Sequence, residues 1–211
     1  VQDAYDWIRK IGPRAFRIDP DRVAVMGHSA GGRLAMLAGF RLDPSPKAVV
    51  SVYGQSGILP RKCRSPSNDT GTITCEEAYK TIGNSIVSEA PFPTPREKLA
   101  AYCNQEDIYY KTVLGFDPWK CPVRYNTLSA IKNVSSDYPP TFLLHGDKDS
   151  DTPHRNSLEM ATKLKENGVK RRLIILEGYG HNFDVDHPED EVVQEAYDAM
   201  LKFLHRHVAN P

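Results

Sequence analysis

The chain has 211 residues with 27 Lys+Arg against 27 Asp+Glu, so its formal net charge at pH 7 is zero. That length suits one sizeable domain with a real core. The balance excludes an electrostatic pull toward nucleic acid or an anionic membrane, and no apolar run is long enough for a membrane-spanning helix.

Residues 2–11 place Ala4, Tyr5, Ile8 and Ile11 on one face, which predicts an amphipathic helix ended by Gly12-Pro13. A turn over 18–22 leads to the apolar run Val23–Met26, read as a buried strand. Gly27-His28-Ser29-Ala30-Gly31 and Gly32 follow, then an apolar helix from Arg33 to Phe40. Gly-x-Ser-x-Gly between a strand and a helix is the pattern of a nucleophile elbow, a sharp turn that lifts one serine above the sheet edge. The serine is expected at a strained backbone angle, with glycines two before and two after it because a Cβ at either place would clash. The helix that follows aims its first N–H groups and its dipole at the serine.

Asp43-Pro-Ser-Pro46 connects to a second strand over Ala48–Tyr53. Residues 54–122 then break the rhythm, being rich in proline and polar residues and holding Cys63, Cys75, Cys103 and Cys121. Thr74-Cys-Glu-Glu77 and Thr94-Pro-Arg-Glu97 read as capping boxes, so short helices are expected here. The segment reads as an inserted cap between body segments 1–53 and 123–211. Its aromatic residues (Tyr79, Tyr102, Tyr109, Tyr110, Phe116, Trp119) either line a pocket or pack the cap.

A short helix from Asn126, with Leu128 and Ile131, leads to a third strand, Thr141–Leu144. The loop His145–Asp151 follows, then a helix opened by Thr152-Pro153 with Leu158, Ala161 and Leu164 on its face. Leu173–Leu176 is a fourth strand, Gly178–Phe183 a loop, and Val192/Val193, Ala196/Tyr197, Met200/Leu201, Leu204 and Val208 mark a last helix. Short β-rich runs without alternation suit parallel strands covered on both faces. Strands alternating with helices predict an α/β fold with a mainly parallel sheet and flanking helices.

A serine hydroxyl is a weak nucleophile at neutral pH and needs a base within hydrogen-bond reach, itself oriented by a carboxylate. Loops at the carboxyl ends of parallel strands form the working crevice of such sheets. Here they offer Ser29, an acid within 147–151, and His181, in the order Ser…Asp…His. The run Asp147-x-Asp149-x-Asp151 also resembles a calcium loop. That loop needs glycine at its sixth position and glutamate at its twelfth, where this chain has Thr152 and Leu158, so calcium is excluded. His28 lies too close to Ser29 in the chain to serve as base and is expected to pack beside it. His154, His187, His205 and His207 read as surface residues. No His/Cys group has zinc spacing, and no cofactor or metal is implied. The Ala30 N–H, directly after the serine, is expected to be one oxyanion donor.

Three stretches now carry a family likeness: Asp19-Pro-Asp-Arg-Val-Ala-Val-Met-Gly-His-Ser-Ala-Gly-Gly32, Pro140-Thr-Phe-Leu-Leu-His-Gly-Asp-Lys-Asp149 and Gly178-Tyr-Gly-His-Asn-Phe183. In them the chain resembles the α/β-hydrolase superfamily, and within it esterases and lipases of arylformamidase-like or feruloyl-esterase-like type. More distantly it is similar to prolyl-oligopeptidase-type peptidases. The likeness covers residues 1–53 and 123–208, not the insert. It implies the family pattern His-Gly-x-x-Asp with a proline four residues on, which selects Asp149 with Pro153, leaves Asp147 and Asp151 as solvated carboxylates, and puts His145 in a structural slot. In the family a second oxyanion donor comes from a His-Gly-Gly-type loop after an earlier strand. This chain has no such loop, so the family's early strands are expected to be missing and the chain to be the later part of a longer protein. The elbow strand should then present an unpaired apolar edge.

The leading expectation is a serine hydrolase acting on a small-molecule carboxylic ester through an acyl-enzyme. An amide substrate (an arylformamide or a peptide) and a non-catalytic binding module are the alternatives. The four cysteines of the insert are compatible with disulfides in an exported protein or with free thiols in a reducing compartment. Asn68-Asp-Thr70 and Asn133-Val-Ser135 are glycosylation sequons.

Overall fold

The computed structural model describes residues 1–57, 73–80 and 97–209. The chain divides into two compact units, Val1–Leu59 with Asn126–Pro211, and Pro60–Tyr125.

The first unit is built on a parallel sheet of β1 (Val25–His28), β2 (Val49–Val52), β3 (Thr141–Gly146) and β4 (Arg171–Leu176), in that spatial order. Because β2 and β3 are buried along their whole length, their side chains divide by alternation between two cores. Val50, Val52, Phe142 and Leu144 face one way, onto Val193, Ala196, Met200 and Phe203 of α10 (Glu191–Leu204). Val49 and Leu143 face the other way. There they meet Ala35 and Met36 of α3 (Ala30–Arg41) and Met160, Ala161 and Leu164 of α8 (Arg155–Glu166). α1 (Gln2–Lys10) packs Tyr5 on Ala38 and Leu42. This is the α/β arrangement expected, with helices on both faces of a parallel sheet. Among the described residues β1 pairs with β2 alone, and Met26 on it is 40% exposed, so the elbow strand is an edge.

Several local expectations change. The first strand starts two residues later than its apolar run and takes in Gly27 and His28, because β1 continues its pairing with β2 to the register His28–Val52. On α1, Ala4 is exposed and Tyr5 alone is buried, and Ile11, just past the helix end, is exposed. α1 ends at Lys10, just ahead of Gly12-Pro13 as expected, but that pair is not a plain turn. It opens α2 (Gly12–Phe16), where proline in the first turn costs no hydrogen bond. Thr152-Pro153 does not open α8 either, since the Thr152 amide and carbonyl are both taken up by the loop before it, by Asp149 and His145. Leu158 is 42% exposed, and Met160 takes the inward place. On α10, Val192 and Leu201 point outward while Phe203, not part of the expected stripe, is buried. Between residues 126 and 133 the chain forms a 3-10 turn, Ala130–Asn133, in place of the expected helix.

The second unit contains α4 (Cys75–Tyr79), α5 (Glu97–Gln105), α6 (Tyr109–Leu114) and α7 (Pro122–Asn126) among its described residues. The first capping box forms: Thr74 Oγ1 accepts from the Glu77 amide at 3.2 Å, and the Glu77 carboxylate accepts from the Thr74 amide at 2.9 Å. The box at 94–97 lies largely outside the described residues. Ala78 and Cys103 are buried, and the Cys103 thiol approaches Thr112 Oγ1 at 3.6 Å. The aromatic rings meet one another within the unit, Tyr79 with Tyr102 and Tyr109 with Tyr110, while Trp119 is 42% exposed. Cys75, Cys103 and Cys121 are free thiols; Cys63 and the sequon at Asn68 lie outside the described residues. The Asn133 amide of the other sequon donates to the Asn126 and Ser129 carbonyls of its own turn.

Truncating Phe142, which points from β3 onto Phe203 of α10, should leave a cavity costing about 3–5 kcal/mol, whereas Leu201→Ala should stay within about 0.5 kcal/mol. Urea denaturation midpoints of the two variants check this difference.

Candidate active site

In a parallel sheet the strand carboxyl ends lie on one side, so loops distant in sequence converge there. Ser29 joins β1 directly to α3, with φ 51° and ψ −117°, a region that side chains rarely adopt and that costs about 1–3 kcal/mol. Its amide donates to the Val52 carbonyl at 2.9 Å, which ties the turn to β2. A Cβ on Gly27 would lie 2.2 Å from the Gly31 carbonyl carbon and oxygen, so glycine is obligatory there. The expected second clash is misplaced by one residue. A Cβ on Gly31 would meet open space, whereas one on Gly32 would lie 2.8 Å from Ser51 Oγ and 3.0 Å from Gly54 Cα. Ala30 occupies the first position of α3, where an amide has no carbonyl one turn back and remains available to an anion.

His181 stands in the loop after β4, ahead of α9 (Phe183–Asp186). Its Nε2 lies 3.0 Å from Ser29 Oγ and its Nδ1 2.7 Å from Asp149 Oδ2. The tautomer with hydrogen on Nδ1 satisfies both contacts, donating to the carboxylate and leaving the Nε2 lone pair to accept the serine hydroxyl. The three residues singled out from sequence therefore meet in one hydrogen-bonded line.

Asp149 is 6% exposed and fully engaged. Oδ1 accepts from the Asp151 amide at 2.9 Å and the Thr152 amide at 2.7 Å; Oδ2 faces His181 and also His145 Nε2 at 3.1 Å. Burial alone would favour the neutral acid, and it is the largest single influence. The hydrogen bonds from His145, His181 and Thr152 together outweigh it and hold the carboxyl well below the usual carboxylate range. His145 is itself buried, with Nδ1 2.7 Å from Ser157 Oγ and Nε2 2.7 Å from the Thr152 carbonyl, so it clamps the loop to α8. For His181, burial favours the neutral ring, but the Asp149 hydrogen bond and charge, aided by Asp151 and Asp184, raise its pKa above the ordinary 6.5.

Asp151 is exposed, as a solvated carboxylate should be, but Asp147 is not merely solvated: it accepts from the Gly178 amide at 2.6 Å and ties the acid loop to the histidine loop. His28 turns away from the serine toward Tyr197, with Nε2 2.9 Å from that hydroxyl and 3.4 Å from Asp184 Oδ2. Sequence reasoning missed Tyr53 and Asp184. The Tyr53 ring lies 4.6 Å from the His181 ring, and its hydroxyl donates to Asp184 Oδ1 at 2.6 Å. Tyr53 at the end of a strand run and Asp184 three residues after His181 carried no motif, and only their positions at the same sheet end hinted at them. Among the described residues, no group of three or more His, Cys, Asp or Glu side chains could hold a metal ion, and no helix is long and apolar enough to cross a membrane.

This parallel sheet with flanking helices has the α/β-hydrolase fold. Residues 1–164 match the BD-FAE family model, a feruloyl-esterase-like branch of the α/β-hydrolases, and the chain belongs to that family. Among solved structures, the acetyl ester-xyloside bifunctional hydrolase of Caldicellulosiruptor lactoaceticus superposes with TM-score 0.60 at 24% identity, over 96% of this chain and 62% of its own. Esterase 2 of Thermogutta terrifontis phosphonylated by sarin superposes with TM-score 0.64 at 18% identity, over 97% of this chain and 63% of its own. Among curated proteins, the non-reducing polyketide synthase Preu6 of Preussia isomera is 28% identical over 97% of this chain, which corresponds to 11% of that protein. The chain thus spans a small part of its curated relatives and less than two thirds of these solved ones.

Two stability experiments follow. Gly27→Ala should destabilise by about 3 kcal/mol through backbone overlap, whereas Gly31→Ala should be neutral or stabilising by up to about 1 kcal/mol on the helix, both read as denaturant midpoints. Asp149 has a lowered folded-state pKa, so its stabilisation is present above its ordinary value of 3.8 and is lost as pH falls through the folded value. Asp149→Asn should therefore flatten the acid side of a plot of Tm against pH.

Proposed function

We propose that this chain carries the acyl-transfer centre of a serine hydrolase that cleaves carboxylic esters. The observation that supports this most is the unbroken contact line Ser29 Oγ, His181 Nε2 and Nδ1, Asp149 Oδ2 at the carboxyl ends of β1, β4 and β3. Membership of a feruloyl-esterase-like family and likeness to solved esterases point the same way.

In this reading Ser29 Oγ attacks the ester carbonyl carbon while its proton passes to His181 Nε2. The resulting oxyanion is held by the Ala30 amide at the head of α3. Collapse of the tetrahedral intermediate expels the alcohol, which takes the proton from His181 and leaves Ser29 acylated. Water then gives a proton to His181 as it attacks the acyl carbon, and collapse releases the acid while His181 returns that proton to Ser29 Oγ. Asp149 stays ionised, fixes the imidazole tautomer and stabilises its positive charge.

Residues 54–122 are proposed as a cap inserted into the body formed by 1–53 and 123–211. The topology supports this, since the whole segment lies in the connection between β2 and β3, which are neighbouring parallel strands.

Ser29→Ala should lower hydrolysis by on the order of 10⁴-fold or more and abolish labelling by an organophosphate probe. Labelling that persists in this variant removes Ser29 from the chemistry. Because the base must be neutral, activity should rise with pH through an acid limb centred above 6.5, the ordinary imidazole value, in a kcat/KM profile.

A further inference from the structure

Tyr53 follows β2 with φ 40°, in the left-handed region where a side chain is strained. The kink has a structural result. An extended strand would send residue 53 to the face opposite Val52, yet both side chains lie in the same core cluster, on the α10 face. The Tyr53 amide still donates to the Leu144 carbonyl at 2.7 Å, so the backbone is anchored while the ring is redirected.

The redirected ring lies 4.6 Å from the His181 imidazole, tilted by 55°, and meets Phe183 edge-on at 5.2 Å. Its hydroxyl, 2.6 Å from Asp184 Oδ1, is kept protonated by burial and by that carboxylate. Asp184 Oδ2 lies 3.4 Å from His28 Nε2, which in turn contacts the Tyr197 hydroxyl at 2.9 Å. A second carboxylate is thus fixed by Tyr53 and His28 beside the proposed base, yet no step of the acyl transfer uses it.

We propose that Tyr53 and Asp184 are positioning residues for His181, an inference that rests on the serine-hydrolase reading of the site. The Tyr53 ring forms a wall that keeps the imidazole in line between Asp149 and Ser29. Asp184 anchors that wall through the Tyr53 hydroxyl and adds a negative charge that favours the imidazolium formed during acyl transfer. The groups facing His181 are Asp149 and Asp151 from the loop after β3, Asp184 from α9, the Ser29 hydroxyl from the elbow and the Tyr53 ring from the end of β2. Those facing Asp184 are Tyr53, His28 and Tyr197.

The test uses the full chain and its Asp184→Asn, Tyr53→Phe, Tyr53→Leu and Ser29→Ala variants. The His181 pKa is followed by NMR of the imidazole nuclei, which requires no turnover, and kcat and KM are measured on a chromogenic acetate ester. Asp184→Asn should lower the His181 pKa and move the acid limb of kcat/KM to lower pH. Tyr53→Leu, which removes the wall, should lower kcat by about tenfold with KM within about twofold, and Tyr53→Phe should fall between it and the wild type. Should Tyr53→Leu fail to fold, the His181 titration in Asp184→Asn decides alone. An unmoved His181 pKa in Asp184→Asn, or a wild-type kcat in folded Tyr53→Leu, overturns the inference. Full hydrolysis by Ser29→Ala would instead overturn the serine-hydrolase reading, whatever the pKa of His181.

Discussion

The carboxylate of Asp149 is a negative charge taken out of water, and such a group is tolerated only when every lone pair finds a donor. Two donors are amides of its own loop, at Asp151 and Thr152, and two are the imidazoles of His145 and His181. This requirement dictates the local path of the chain. The loop after β3 must curl to bring its amides inward, which delays the start of α8 to Arg155 and spends Thr152 on the turn. His145 must be buried at the end of β3, where Ser157 holds its other nitrogen. The histidine loop must approach closely enough to complete the set, and the Asp147 contact with the Gly178 amide holds it there. What presents His181 to Ser29 is thus the satisfaction of one buried charge.

The other constraint is steric and lies in the elbow. A serine at φ 51° persists because the surrounding structure gives it no alternative: β1 is hydrogen-bonded to β2, α3 is packed through Ala35 and Met36, and the turn has to connect them without slack. Gly27 and Gly32 are the points where backbone meets backbone. The strain leaves the hydroxyl above the sheet and puts the first amides of α3 beside it. Tyr53 repeats the device at the end of β2, where a left-handed residue again turns a side chain toward the site. Two adjacent strands therefore end in strained residues, and both direct a side chain at His181.

Much of this was legible in the residues. The four strands were readable because β-branched and leucine-rich runs bounded by Gly, Pro and Asp leave few alternatives, and their order along the chain with intervening helices pointed to a parallel sheet. Ser29, Asp149 and His181 were readable because the elbow and the two loop motifs are local in sequence. Helix faces were read less well. Leu158, Val192 and Leu201 are apolar yet exposed, and Phe203 is buried, since a stripe wide enough for several rotations is narrowed to one by the partner surface. Residues 54–122 carry few patterns that local propensity can resolve.

What the sequence determined by itself was the four strands, the parallel α/β class, the family likeness and the serine, acid and histidine that meet in one contact line, because each rests on short-range stereochemistry or a compact motif. Tertiary structure alone decided which glycines of the elbow are obligatory, that His28 faces Tyr197 and not Ser29, and that Asp147 bridges two loops. It also decided that Tyr53 and Asp184 stand beside His181, residues 53 and 184 being far apart along the chain. These are matters of distance between segments brought together by the sheet, and no local pattern of residues encodes them.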